Sequence, residues 1–85
     1  MAKQTLTIEH KDWDKFADIL AGKEGINPRK ENGQDIWTCY HDHRRTITIL
    51  AKYFPNIDID KTLVYMEHNG GFCDCEVLFN VDKEV

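Results

Sequence analysis

Two short pairs of metal-binding side chains stand out in this sequence of 85 residues. One residue separates Cys73 from Cys75, and one residue separates His41 from His43 further upstream. In an extended chain alternate side chains leave on the same face, so each pair could direct both of its ligand atoms to one ion. Two thiolates and two imidazoles make up the four ligands of a closed, tetrahedral zinc site. The spacing therefore predicts a structural zinc ion bound by His41, His43, Cys73 and Cys75.

Other roles for the same side chains stay open on the sequence alone. Cys73 and Cys75 could be small apolar residues on the core face of a strand, or a redox-active pair with at least one lowered thiol pKa. A disulfide between residues i and i+2 would close a strained ring. Cys39 is a further candidate ligand that could replace His41, because in an extended segment it shares a face with both histidines.

The acidic residues beside these ligands could be ordinary solvated carboxylates of a strand or loop, but two functional roles are open to them as well. Asp42, Asp74 and Glu76 could each accept a hydrogen bond from the second ring N–H of a zinc-bound histidine and fix its tautomer. If one histidine were not a ligand, a water molecule could complete the zinc shell, with Glu76 or Asp74 as a general base. The leading prediction is a zinc-stabilised structural or protein-interaction module without catalytic residues, and a metalloenzyme or a redox-active C-x-C protein is the alternative.

A long run near the end of the chain, residues 69–81, reads N-G-G-F-C-D-C-E-V-L-F-N-V. This run resembles the C-terminal signature of a family of short bacterial proteins, domain of unknown function 2695. The step Asp42-His43, followed by two arginines and a helix, is similar to the other recurring element of that family. A cysteine commonly precedes this step in the family where this chain has His41, and the exchange keeps a zinc ligand. The resemblance covers roughly residues 41 to 81 and implies no activity.

Composition and charge limit the partners and the compartment. Eleven basic and fifteen acidic residues give a formal net charge of −4, which repels phosphate backbones and disfavours nucleic-acid binding. The residues after Met1 are polar and every apolar run is short, so we expect no secretory signal and no membrane span. Three cysteines without an export signal predict the reducing cytoplasm. The expected partner, if there is one, is another protein.

Hydrophobic patterning predicts one small α+β domain over residues 1–85. Alternating apolar and polar residues favour strands at 5–8, 36–40 and 73–81. Apolar residues at helical spacing predict helices over 10–21 and 47–54, and a third helix begins near Asp60 and ends at Asn69-Gly70. Residues 22–35 are polar and predict a mobile connection. The resulting order is β-α-β-α-α-β, a mainly antiparallel sheet with helices packed on one face.

Overall fold

A computed structural model describes residues 3–82 of the chain. It confirms the α+β class, since an early two-stranded antiparallel sheet is followed by a group of helices. The elements are α1 (Trp13–Leu20), β1 (Arg29–Glu31), β2 (Gln34–Ile36), α2 (Arg44–Tyr53), α3 (Ile59–His68) and α4 (Asp74–Glu76), which continues as a π-helical turn (Val77–Val81). Among the described residues, no helix combines the length and the apolar character that a membrane span requires.

Helix α2 is the central element, since it packs against α1, α3 and α4. Helix α1 forms as its apolar spacing predicts and buries Trp13, Phe16, Ala17 and Leu20 on one side. The ring of Phe16 meets the ring of Phe54 edge to face at 6.4 Å between centroids, just beyond the end of α2. Burial of these rings and of the aliphatic side chains around them is the main apolar stabilisation of the fold.

The long helices are confirmed, with small shifts at their N-termini. Helix α2 begins at Arg44, three residues before the first apolar residue of its predicted stripe. Helix α3 begins at Ile59, and its N-cap is Asp58 rather than Asp60. The carboxylate of Asp58 accepts a hydrogen bond from the backbone N–H of Lys61 at 3.0 Å, which satisfies one of the free donors of the first turn.

The polar segment 22–35 contains a hairpin that the sequence analysis did not predict. Strands β1 and β2 pair from Arg29 with Ile36 to Glu31 with Gln34. Asn32 and Gly33 connect them with positive φ values of 54° and 79°, as the primed turns of tight hairpins require. The strand expected at residues 36–40 is wrong beyond Ile36, because this stretch leaves the ladder and Thr38 instead donates its N–H to the carbonyl of Ile26 at 2.7 Å.

The N-terminal strand expected at residues 5–8 is also absent from the described elements. Only Gln4 pairs, in one parallel bridge to Ile57. Leu6 is fully buried, and its N–H donates to the hydroxyl of Thr62 at 3.0 Å instead of to a neighbouring strand. A side-chain acceptor on α3 therefore takes the place of a ladder and holds this extended segment against the helix.

The largest correction concerns residues 73–81, which the alternation predicted to be a strand and which are helical. Val77 and Val81 are buried and Leu78 packs against the same core, whereas Phe79 is 56% exposed. Apolar residues at i, i+1 and i+4 belong to one helical face. Leu78 is the one residue that breaks the alternation, and it is therefore the local sequence feature that indicates a helix rather than a strand.

Gly71 provides a test of how closely the segment before α4 approaches the core. A Cβ atom at this position would lie 2.5 Å from Cγ2 of Val81 and 3.2 Å from the carbonyl oxygen of Met66. We expect Gly71→Ala to lower the free energy of unfolding by about 1–3 kcal/mol, as overpacking usually does. Urea denaturation followed by circular dichroism measures the change.

Gly22→Ala is the matched control, because its added Cβ would meet no atom closer than 3.4 Å. We expect its free energy of unfolding to stay within about 0.5 kcal/mol of the wild type. Equal losses in the two variants would contradict the close approach at Gly71.

Candidate metal centre

Two segments outside the long helices lie side by side and carry the predicted ligands. We call residues 37–43 the upstream loop and residues 70–76 the C-x-C turn. The N–H of Asp74 donates to the carbonyl of Asp42 at 2.9 Å, and Nε2 of His43 donates to the carbonyl of Gly71 at 2.7 Å. These hydrogen bonds fix the C-x-C turn against the end of the upstream loop, just before α2.

The side chain of Asp74 makes three further hydrogen bonds between the C-x-C turn and α2. Its side chain is fully buried, and its carboxylate accepts from the N–H of Arg45 at 3.1 Å, the N–H of Thr46 at 3.0 Å and the hydroxyl of Thr46 at 2.8 Å. Backbone donors in the first turn of a helix have no partner within the helix, and the positive end of the helix dipole favours an anion there. Asp74 thus caps α2 from a distant part of the chain.

Three potential metal ligands converge between the two segments. Sγ of Cys39, a ring nitrogen of His41 and Sγ of Cys73 all lie within 4.8 Å of one another. Sγ of Cys75 lies 3.3 Å from Sγ of Cys73, which places a fourth donor beside the group. In a tetrahedral site with sulfur about 2.3 Å from zinc, two ligand atoms are roughly 3.8 Å apart. Cys39, His41 and Cys73 are therefore close enough to bind one metal ion together.

The backbone of the upstream loop turns sharply to bring two of these donors together. His41 has a left-handed conformation with φ of 62°, which is uncommon outside glycine but more frequent for histidine than for most residues. Its N–H approaches Sγ of Cys39 at 3.4 Å. The turn brings His41 back toward Cys39, so that the thiol and the imidazole of this loop both lie near Cys73.

The three thiols differ in how readily they ionise. Burial raises the pKa of the Cys73 thiol to about 12, and burial together with the Cys39 thiol raises the pKa of Cys75 above its usual value. Burial also opposes ionisation of Cys39, but hydrogen bonds from the backbone N–H groups of Cys75 and His41 outweigh it and lower the pKa of Cys39. Cys39 is therefore the first of the three to become a thiolate when no metal is bound.

Only some of the ligands predicted from the sequence lie close together in the structure. His41 and Cys73 come together, and Cys75 contacts Cys73. His43 lies outside the group of converging ligand atoms, and its Nε2 is engaged by Gly71, so its role as a ligand stays a prediction. Cys39, which the sequence suggested only as an alternative ligand, belongs to the group. Its spacing of two residues from His41 is the sequence feature that made it a candidate.

Two of the acidic residues beside the predicted ligands make contacts that the sequence did not predict. Asp42 binds Arg44 through an ion pair of 2.9 Å, and Asp74 caps α2. Only Glu76 approaches the thiols, with Oε1 accepting from Sγ of Cys73 at 3.5 Å. No local sequence pattern indicates the capping role of Asp74, because its backbone partners Arg45 and Thr46 lie 29 and 28 residues earlier in the chain.

Comparison with known proteins adds one finding. A family model described as Protein of unknown function (DUF2695) matches residues 31–80, which is more than half of the chain and includes every residue of the converging group. No curated protein and no solved structure matches the chain.

The capping role of Asp74 can be measured. We expect Asp74→Asn to lower the free energy of unfolding by about 2 kcal/mol, since a hydrogen bond to a charged group contributes about 1.5–3 kcal/mol and the amide presents a donor to one of the backbone N–H groups. Asp42→Asn is the control, because its side chain is 46% exposed and should give a much smaller loss. Urea denaturation measures the free energy of unfolding of both variants. Equal decreases in the two variants would exclude a special role for Asp74.

The order of thiol reactivity is a second test of this geometry. In metal-free protein we expect iodoacetamide to modify Cys39 faster than Cys73, which is only 4% exposed and has the raised pKa. The thiolate is the reactive form, so the rate at Cys39 should increase with pH up to its lowered pKa and then level off. Peptide mass spectrometry after short exposures gives the order, and faster labelling of Cys73 would contradict the described arrangement.

Proposed function

The chain belongs to the family described as Protein of unknown function (DUF2695), and because that description names no activity, we propose a function from the geometry of the cysteine cluster. The protein is a small cytoplasmic protein-interaction module stabilised by a structural zinc ion. The observation that carries the proposal is the convergence of Cys39, His41 and Cys73, with the sulfur of Cys75 3.3 Å from that of Cys73.

The donor set favours zinc over other common metals. Thiolate and imidazole ligands in a four-donor group suit Zn²⁺, whereas Mg²⁺ and Ca²⁺ prefer oxygen. The proposed ligands are Cys39, His41, Cys73 and Cys75, so Cys39 replaces His43 of the set predicted from the sequence. Each thiol loses its proton on binding, and zinc affinity should therefore fall as the pH decreases.

The position of the cluster supports a structural role. It would join the upstream loop to the C-x-C turn, two segments that carry no long helix or strand of their own. A domain of this size gains only a few kcal/mol of net stability from its core, whereas structural zinc contributes roughly 10 kcal/mol or more of apparent folding free energy. The metal would thus be a principal stabilising interaction.

Exposed aromatic side chains next to the cluster support the interaction role. Trp37 precedes Cys39 by two residues, Phe72 precedes Cys73, and Phe79 lies in the π-helical turn. These side chains are 44%, 60% and 56% exposed, and the rings of Trp37 and Phe79 meet edge to face at 5.1 Å. Large exposed aromatic residues are enriched at protein interfaces. The acidic net charge favours a protein partner over nucleic acid.

A metalloenzyme is the second candidate function, because Glu76 places a carboxylate beside the cluster. If Cys75 were not a ligand, water would complete the shell of Cys39, His41 and Cys73, and Glu76 would be positioned as its base. A redox role for the Cys73–Cys75 pair has less support. Burial raises the pKa of both thiols, whereas a reactive pair needs at least one lowered value.

Zinc binding is tested with two histidine variants. We expect the purified wild type to bind about one equivalent of zinc and to lose much of its thermal stability when a strong chelator removes it. His41→Ala should weaken zinc binding by more than about 100-fold, since even the loss of a second-shell partner costs about 10–100-fold. His68→Ala, in the last turn of α3, should bind zinc like the wild type. Competition with a chromophoric chelator measures the affinities.

Cys75→Ser separates the two candidate functions within the same titration. A closed shell that includes Cys75 predicts weaker zinc binding in this variant and no difference in stability once zinc is absent from both proteins. Wild-type zinc affinity in Cys75→Ser, with a metal-bound water seen by X-ray absorption, would favour the enzyme. Unchanged stability of the wild type after complete metal removal would refute the structural role.

A further inference from the structure

We propose that Cys39 and Cys73 form an intramolecular disulfide when the metal is lost under oxidising conditions, so that a covalent cross-link replaces the zinc cross-link between the upstream loop and the C-x-C turn. The inference takes its setting from the proposed zinc site. The disulfide itself requires only the described positions of the thiols and can be tested in metal-free protein.

The positions of the two sulfurs favour this pair. Sγ of Cys39 and Sγ of Cys73 lie within 4.8 Å of each other, so a shift of a few ångströms brings them to bonding distance. Cys39 lies in the upstream loop, outside the helices and strands, and is partly exposed. Cys73 is held in place by the neighbouring Asp74, which is anchored to α2. The mobile partner is therefore Cys39, and Cys73 is the fixed one.

The closer contact between Cys73 and Cys75, 3.3 Å between sulfurs, does not lead to the same product. Cys73 is the N-cap of α4 and Cys75 lies inside that helix, on either side of the buried Asp74. A disulfide between residues i and i+2 would close a strained ring and distort this turn, and with it the three hydrogen bonds of the Asp74 carboxylate. A link to Cys39 leaves the turn intact.

The oxidant in the proposed step is a hydroperoxide. The sulfur of one thiol attacks a peroxide oxygen of H2O2, the O–O bond breaks, and the products are a sulfenic acid and one water molecule. The second thiol attacks the sulfenic sulfur, the S–S bond forms, and the sulfenic oxygen leaves as a second water molecule. Two thiols are oxidised and one H2O2 is reduced. When zinc is bound by the three thiolates at the start, three protons from solvent complete the balance: two leave in the water molecules, one returns to the Cys75 thiol, and Zn²⁺ is released.

The exchange would keep the two segments joined when zinc is absent. Cys39 and Cys73 are both proposed zinc ligands, so their disulfide blocks zinc from rebinding until a dithiol reductant restores the thiols. The third cysteine, Cys75, has no partner in this product and stays a free thiol. The protein therefore has a defined signature of one disulfide and one thiol.

The test starts from chelated, zinc-free protein treated with one equivalent of H2O2. The chain has three cysteines, so thiol titration under denaturing conditions should fall from three to one in the wild type. Cys75→Ser is the matched control that keeps the proposed pair, and its count should fall from two to zero. Cys39→Ser loses the pair, so its count should stay at two. Non-reducing peptide mapping of the wild type should show a link between Cys39 and Cys73.

Several results would overturn the inference. A mapped link between Cys73 and Cys75, a disulfide between two chains, or oxidation to sulfinic acid without a cross-link would each refute it. Circular dichroism verifies that the variants are folded, and if Cys39→Ser is not, the map of the wild type decides. If the protein forms the Cys39–Cys73 disulfide but does not bind zinc, only the proposed zinc role is refuted. If it binds zinc but does not form this disulfide, only the disulfide is refuted.

Discussion

The buried carboxylate of Asp74 is the interaction on which the candidate site depends. A charged group without solvent is costly unless it is fully hydrogen-bonded, and here three donors from the first turn of α2 satisfy it. The same contact removes two unsatisfied N–H groups of that helix. Because Asp74 stands between Cys73 and Cys75, its anchoring also places the backbone of both cysteines beside the upstream loop. The candidate metal cluster thus adjoins a helix cap.

This cap also explains why the final segment is not a strand. Alternation of Cys73, Cys75 and Val77 with acidic residues predicts a strand, and nothing local contradicts it except Leu78. The deciding contact is between Asp74 and a helix 28 or 29 residues earlier, which single-sequence patterns do not reveal. Helices α1, α2 and α3 were predictable because their apolar stripes recur over several turns, so that local spacing and tertiary packing agree.

Residue type and spacing predicted some of the residues of the candidate site but not all of them. His41 and Cys73 were candidates because paired histidines and paired cysteines at i, i+2 spacing can direct two ligand atoms to one ion. His43 has the same spacing, but it is the N-cap residue of α2 and its ring binds the carbonyl of Gly71. Cys39 joins the group in a loop where His41 adopts a left-handed backbone conformation, a feature that the residue spacing does not reveal.

The cysteine cluster and the apolar core lie in different parts of the molecule. The aromatic core centres on α1 and the end of α2, where Trp13, Phe16 and Phe54 pack, whereas the cluster lies before the first turn of α2. The upstream loop therefore gains little from the aromatic core, and a metal ion bound by the cluster would add a contact that the core does not provide. Trp37 stands in this loop, and its ring meets the ring of Phe79 edge to face. Any cross-link between Cys39 and the C-x-C turn, by metal or by disulfide, thus also sets the shape of the exposed aromatic surface.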